Sequence, residues 1–240
     1  MTTSCWGVVV AAGRGERFGG DRPKALIELG GRPLVVHAVR ALREGGCAGI
    51  VVAAPDDLVS TLSAVLTGSE VDGSLPTPTV IVVAGGPTRQ ASVGAALAEV
   101  PIEVGWVLVH DAARPLVPAS VVASVRKALA AGACAVIPVL PVVDTIKSVD
   151  AAGEITATVD RSGLRAAQTP QGFERDLLVR ALARSAGRGE GVTDDAAAVA
   201  AMGVPVLTVP GDERGLKITT PHDLVVAEAL LAIADPLRGA

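Results

Sequence analysis

The sequence predicts a three-layer α/β sandwich built on a mostly parallel, mixed central sheet. Short runs of β-branched and small apolar residues, such as Val8–Val9–Val10–Ala11–Ala12, alternate along the chain with stretches of helical spacing. Such runs suit strands covered on both faces. The third observation is compositional: half of the 240 residues are hydrophobic but only 2% are aromatic, with no Tyr, so Val, Ala, Leu and Ile must build the core. That length supports one large domain with a substantial interior, and the chain is read as a single domain over 1–240.

The elements follow in order. A first strand is predicted at about 6–12, then a helix near 33–44 with Pro33 in its first turn and Gly45–Gly46 behind it. A strand at 50–54 precedes helical spacing at 56–66 and a Gly/Ser/Thr/Pro-rich loop at 67–78. A strand at 79–84 ends on Gly85–Gly86, and Thr88 is placed to cap a helix to about 98. Another buried strand is predicted at 106–109, a helix opened by Pro118 near 118–131, and strands at 135–139 and 145–149. Residues 150–172 alternate only weakly and hold Asp160–Arg161–Ser162–Gly163, a hairpin signal, so about 143–172 is read as a projecting β-arm. A lone hairpin is marginal, and pairing with a second subunit is the natural remedy. Helices at about 174–186 and 194–202, a strand at 205–209 and a last helix to about 233, opened by Thr220–Pro221, complete a Rossmann-like pattern.

The net charge of −4 supplies no basic field for a polyanion, and aromatic side chains for base stacking are scarce, so nucleic-acid binding is excluded. Cys5, Cys47 and Cys134 are odd in number, widely spaced and without C-x-x-C, as small buried hydrophobes of a reducing cytoplasm would be. The amino-terminal residues carry no basic segment, and no apolar run is long enough to span a membrane.

The most informative stretch is 8–24, VVVAAGRGERFGGDRPK. An apolar strand opens into a loop with Gly13 and Gly15, rimmed by Arg17 and Lys24. Glycines let backbone N–H groups approach an anion, and two cations stand ready for phosphate. The dinucleotide pattern G-x-G-x-x-G would need glycine at Phe18, and the Walker pattern from Gly15 would need Lys at Asp21. The spacing G-x-G-x-R followed by Pro23–Lys24 resembles instead the signature loop of the sugar-phosphate nucleotidylyltransferases.

In open α/β sheets ligands bind at the carboxyl ends of the strands, and the remaining candidates lie there. Gly85, Gly86 and Ser92 follow the 79–84 strand, Asp111 and Arg114 follow the 106–109 strand, and Lys217 comes late, read as part of an apolar strand. Asp111 can bind Mg2+ beside a triphosphate, or serve as a cap or partner of Arg114. Lys217 between Leu216 and Ile218 needs an anion if buried, which a phosphate supplies; otherwise it faces solvent. Thr193–Asp194–Asp195 caps the following helix, and the Thr193 hydroxyl can also face a substrate. His37, His110 and His222 read as packed or capping residues, and no Ser–His or Cys–His arrangement supports nucleophilic catalysis.

Together these pieces resemble the 2-C-methyl-D-erythritol 4-phosphate cytidylyltransferases. The resemblance is carried by AAGRGERF at 11–18, PK at 23–24, GG at 85–86 with R-x-x-S at 89–92, VHDAARP at 109–115, DTIK at 144–147, VDR at 159–161, TPQ at 169–171, TDD at 193–195 and LKIT at 216–219. It implies that Ala11, Ala12, Gly13, Gly86, Ser92, Ala112 and Arg114 bind CTP. It makes Arg17, Lys24 and Lys217 the catalytic cations, with Asp111 on Mg2+ and the acceptor. Thr145, Arg161 and Thr169 match positions that hold the methylerythritol phosphate, the last two reaching it from a partner subunit, which implies a homodimer. Pro87 departs from the acidic residue frequent after the Gly pair, which affects one cytosine-side contact. A cytidylyltransferase for ribitol 5-phosphate or another polyol phosphate is the nearest rival. A nucleotide-sugar transferase would want D-x-D where the chain has Asp111–Ala112–Ala113, and a non-catalytic nucleotide binder would lack Lys24 or Lys217.

Overall fold

In the computed structural model, residues 4–13, 18, 23–68, 79–188 and 194–234 are described. The chain runs β1 (Cys5–Val10), β2 (Glu28–Leu29), β3 (Arg32–Pro33), α1 (Leu34–Glu44), β4 (Gly49–Ala54), α2 (Val59–Gly68), β5 (Thr79–Ala84), α3 (Arg89–Ala98), β6 (Trp106–Asp111) and α4 (Ala119–Ala130). It continues β7 (Ala135–Pro141), β8 (Ile146–Val149), β9 (Ile155–Val159), β10 (Arg165–Ala167), β11 (Gln171–Glu174), α5 (Arg175–Arg188), α6 (Asp195–Ala200), β12 (Leu207–Pro210) and α7 (Pro221–Ala234).

The main sheet is mixed and mostly parallel, as the sequence predicts. β6, β1, β4 and β5 lie side by side in parallel, and β12 runs parallel to β7 at the far edge. One stretch reverses: β10 and β11 run antiparallel along β7, and β11 also pairs antiparallel with β6. β11 thereby welds the two parallel groups into a single sheet. Gly172 makes this close fit, since a Cβ there would stand 2.5 Å from Val125 Cγ1 and 3.0 Å from Leu129 Cδ1 of α4. Phe173, fully buried, is the largest side chain of the interior.

Helices cover both faces. The face under α1, α2 and α4 is filled by Val9, Val35, Leu42, Ile50, Leu62, Val122 and their neighbours. The other, under α3, α5 and α6, is filled by Val8, Val51, Val93, Val107, Phe173 and Leu178. Aliphatic side chains fill most of both layers, with Phe173 the one fully buried aromatic among the described residues, in line with the composition. A third cluster of Ile27, Leu29, Leu34, Ile218 and Ala227 packs α7 and the 218 segment beneath the Lys24 turn.

Several details differ from the sequence reading. β1 ends at Val10, not Ala12, so Ala11–Gly13 already belong to the loop. α1 starts at Leu34 because Arg32–Pro33 pairs with Glu28–Leu29. The projecting arm is shorter than 143–172: β8 and β9 form a separate two-stranded ribbon, but from Arg165 onward the chain has rejoined the main sheet. Lys217 lies outside any strand, because β12 stops at Pro210 and a 3-10 turn at Glu213–Gly215 intervenes.

Candidate active site

A cleft of about 410 Å3 opens at the carboxyl ends of the parallel strands. Its walls are the loop from Val10 to Gly13, Lys24–Ala25, Gly86 to Arg89 with Ser92, Asp111 to Ala113, and Lys217 with Thr219. Five separated segments therefore meet on one hollow, and Lys24 and Lys217 face the same space.

Each wall has a local cause. Ala11 N–H donates to Ala53 O at 2.8 Å, which pins the start of the glycine loop beside the end of β4. Lys24 opens a 3-10 turn after Pro23, and Ile27 O accepts from Leu34 N at 2.9 Å, so the turn is tied to α1. Gly85 N–H donates to Ala54 O at 2.7 Å. A Cβ on Gly85 would stand 2.7 Å from Ala12 Cβ and 2.8 Å from Ser92 Oγ, so only glycine lets the two loops approach this closely. Thr88 caps α3, its hydroxyl accepting from Ala91 N at 3.1 Å, as the sequence predicts. Ser92, buried, accepts from Gly86 N at 3.1 Å and donates to Thr88 O at 2.9 Å, which shapes the turn around Pro87.

The floor is charged. Asp111 ends β6 with both carboxylate oxygens engaged: Arg89 Nε donates to Oδ1 at 3.2 Å and Lys217 Nζ to Oδ2 at 2.8 Å. Burial alone would push this carboxyl up; the charges of Arg89 and Lys217 outweigh it and hold Asp111 well below the ordinary carboxylate range. Arg89 Nη1 also donates to Asp195 Oδ2 at 2.7 Å. Asp195 is fully buried, and burial pushes its carboxyl up. Asp194, its neighbour, is the cap of α6, accepting from Ala197 N at 2.8 Å.

Beneath Asp111 lies a neutral relay. His110 is completely buried, and burial lowers its pKa to about 4. Its Nε2 is 3.1 Å from Arg114 O, a carbonyl that can only accept, so Nε2 carries the proton. Nδ1 then accepts from the Thr169 hydroxyl at 2.8 Å, and the same oxygen accepts from Asp111 N at 3.2 Å. His110 thus orients the backbone that carries Asp111, a packed role in keeping with its sequence reading.

Of the residues singled out in the sequence, Ala11, Ala12, Gly13, Lys24, Gly86, Ser92, Asp111, Ala112 and Lys217 line the cleft. Arg17 and Thr193 lie outside the described residues. Arg114 turns from the cleft and donates to Gly215 O at 2.7 Å and Ala167 O at 3.3 Å, clamping the Lys217 segment to β10. Thr169 is buried behind Asp111 rather than on the ribbon. Thr145 and Arg161 are exposed and flank the root of the β8–β9 ribbon, where Ile146 pairs with Val159, away from the cleft lining. Lys217 is half exposed, and the anion beside it is Asp111. The sequence reading passed over Arg89 and the inward role of Asp195. The R-x-x-S motif contains Arg89, but nothing local marks its pairing with a residue 106 positions away.

A doubly wound sheet with a glycine loop, two lysines and an acidic strand end around one cleft defines a nucleotide-handling α/β protein of the nucleotidyltransferase type. Comparison with known proteins narrows the class. A family profile for 2-C-methyl-D-erythritol 4-phosphate cytidylyltransferase matches residues 5–233. A protein of that name from Frankia casuarinae is 51% identical over 95% of this chain and 82% of its own length. One from Streptomyces coelicolor is 48% identical over 94% and 84%. The crystal structure of the Thermus thermophilus protein of the same name superimposes with a TM-score of 0.73 at 38% identity, covering 96% of this chain and 98% of that one. The chain belongs to the 2-C-methyl-D-erythritol 4-phosphate cytidylyltransferase family.

Proposed function

We propose that this chain transfers the cytidylyl group of CTP to 2-C-methyl-D-erythritol 4-phosphate, giving 4-diphosphocytidyl-2-C-methyl-D-erythritol and pyrophosphate in non-mevalonate isoprenoid biosynthesis. The observation that carries the reading is the convergence of Lys24, Lys217 and Asp111 on the glycine-loop cleft, in a chain of this family.

An oxygen of the acceptor phosphate attacks the α-phosphorus of CTP in line with the departing pyrophosphate. A new P–O bond forms at the α-phosphorus, and its bond to the bridging oxygen of the β-phosphate breaks. The acceptor is already an anion near neutral pH, since the second phosphate pKa is about 6. No general base is required, in keeping with a His110 that is neutral and turned inward. The obstacle is charge: one anion must approach another, and catalysis consists of orienting the phosphates and meeting charge as it develops. Lys24, Lys217 and Arg17 are the cations assigned to that work, with the backbone of Ala11–Gly13 along the nucleotide.

The donor set suits Mg2+. This ion takes one or two carboxylates, several waters and substrate phosphate oxygens, and Asp111 offers a single ionised carboxylate facing the cleft. Asp111 would hold it, and the bound ion would neutralise phosphate charge.

The β8–β9 ribbon is assigned to a second copy of the chain. Val149 and Ile155 are 59% and 65% exposed on a two-stranded sheet that lacks the third strand needed for independent stability. A homodimer that covers these side chains and brings Arg161 to the acceptor is part of the proposal, as is action in the cytoplasm; Thr169, buried behind Asp111 of its own chain, serves there by holding the Asp111 backbone. No described helix is long and apolar enough to cross a membrane. The test is pyrophosphate release with each of the four nucleoside triphosphates against a panel of polyol phosphates. Turnover confined to CTP with methylerythritol phosphate is expected; preference for ribitol 5-phosphate would overturn the acceptor assignment.

A further inference from the structure

We infer that Arg89 is the positioning residue of this site: anchored on the buried Asp195, it fixes one edge of the Asp111 carboxylate while the opposite edge exchanges partners as phosphates arrive. This rests on the cytidylyl-transfer reading and adds to it a residue with none of the roles assigned above.

Asp195, Arg89, Asp111 and Lys217 form a line of alternating charge drawn from α6, α3, the end of β6 and the segment after Gly215. Arg89 spans two carboxylates, with Nη1 on Asp195 and Nε on Asp111. Asp195 is completely buried, and its Oδ1 has no hydrogen-bond partner among the described residues. A buried carboxylate in that state is tolerable only beside a fixed cation, so Arg89 and Asp195 hold each other in place. Spanning two carboxylates uses the rigid fork of donors that arginine has and lysine lacks.

The two edges of Asp111 therefore differ. Oδ1 is held by a guanidinium fastened at a second point, with its side chain 27% exposed. Oδ2 is held by the ammonium of Lys217, whose side chain is 41% exposed and sits on a flexible stem. A phosphate entering the cleft competes more readily for Lys217 than for Arg89. Lys217 moves from carboxylate to phosphate, and Arg89 keeps the carboxylate oriented through the exchange.

Steady-state kinetics of pyrophosphate release, with thermal unfolding alongside, test this on Arg89→Lys, Asp195→Asn and the double variant Arg89→Met/Asp195→Asn. Each is expected to lower kcat by at least about 10-fold while leaving the KM for CTP within about 3-fold of wild type. The double variant removes both charges, so it regains the wild-type Tm without regaining kcat. Recovery of kcat together with Tm would make Arg89 a structural ion pair and overturn the inference. A CTP KM raised more than about 10-fold at unchanged kcat would overturn it in favour of direct nucleotide binding. An active wild type beside indifferent variants would overturn this inference alone. A wild type that releases no pyrophosphate from CTP with any polyol phosphate would overturn the cytidylyl-transfer reading, and this inference with it.

Discussion

Lys217 Nζ stands 2.8 Å from Asp111 Oδ2, so two residues 106 positions apart close the cleft between the end of β6 and the segment after the Glu213–Gly215 turn. A cation already satisfied by a carboxylate does not draw random anions, yet it can be released to a triphosphate. The contact also fixes where Lys217 waits before substrate binds.

Removing either lysine is expected to cost at least about 10²-fold in kcat, the usual price of one preorganised donor to a developing charge. Lys24→Ala and Lys217→Ala should keep the wild-type circular dichroism spectrum, because both side chains border the open cleft rather than the core. Near-normal turnover in both variants would contradict the assignment of the phosphates to this cleft.

Stability should fall as the pH drops from about 6.5 toward 4. His110 titrates near 6.5 when unfolded but at about 4 when folded, so across that window the unfolded chain binds more protons and acid favours unfolding. The full effect is about 3 kcal/mol. Asp195, with its carboxyl pushed up, contributes with the opposite sign above the normal carboxylate pKa, which makes a difference measurement necessary. Denaturant unfolding of wild type and His110→Gln at several pH values should show the slope largely lost in the variant; parallel curves would rule out a neutral buried His110.

Gly85→Ala should widen the gap between the first glycine loop and the α3 turn. The added methyl would press on Ala12 and Ser92, at an overpacking cost of about 1–3 kcal/mol. The KM for CTP is expected to rise while the acceptor KM stays near wild type. An unchanged CTP KM would separate these two loops from nucleotide binding.

The ribbon is expected to act on the acceptor side. Arg161→Ala should raise the KM for the polyol phosphate and leave that for CTP nearly unchanged. Ile155→Glu, which sets a charge on the exposed ribbon face, should convert a dimer to monomer in sedimentation equilibrium. A wild type that sediments as a monomer would remove the reason for placing acceptor contacts on a second copy.

Much of the fold was legible because the signals are local. The run at Val8–Val10 marks a buried strand by itself, and Thr88 announces the start of α3 three residues before the N–H it caps. The strand at Gln171–Glu174 was missed, because four residues, one of them Gly172, carry no period that separates a central strand from a loop. The segment at Lys217 misled for the opposite reason: Leu216 and Ile218 look like a strand, but Ile218 is buried under α7 and its N–H donates to Ala113 O at 2.8 Å, outside any ladder.

Taken alone, the amino-acid sequence determined the alternation of strands and helices, the aliphatic two-faced core and the glycine-and-lysine loop, since each depends on residues within a few positions of one another. Tertiary structure alone decided that 165–174 reverses between β6 and β7, and that Asp195, Arg89, Asp111 and Lys217 stand in contact. Ion pairs and antiparallel insertion join segments distant along the chain, and their energy comes from burial and charge that exist only once the sheet has brought those segments together.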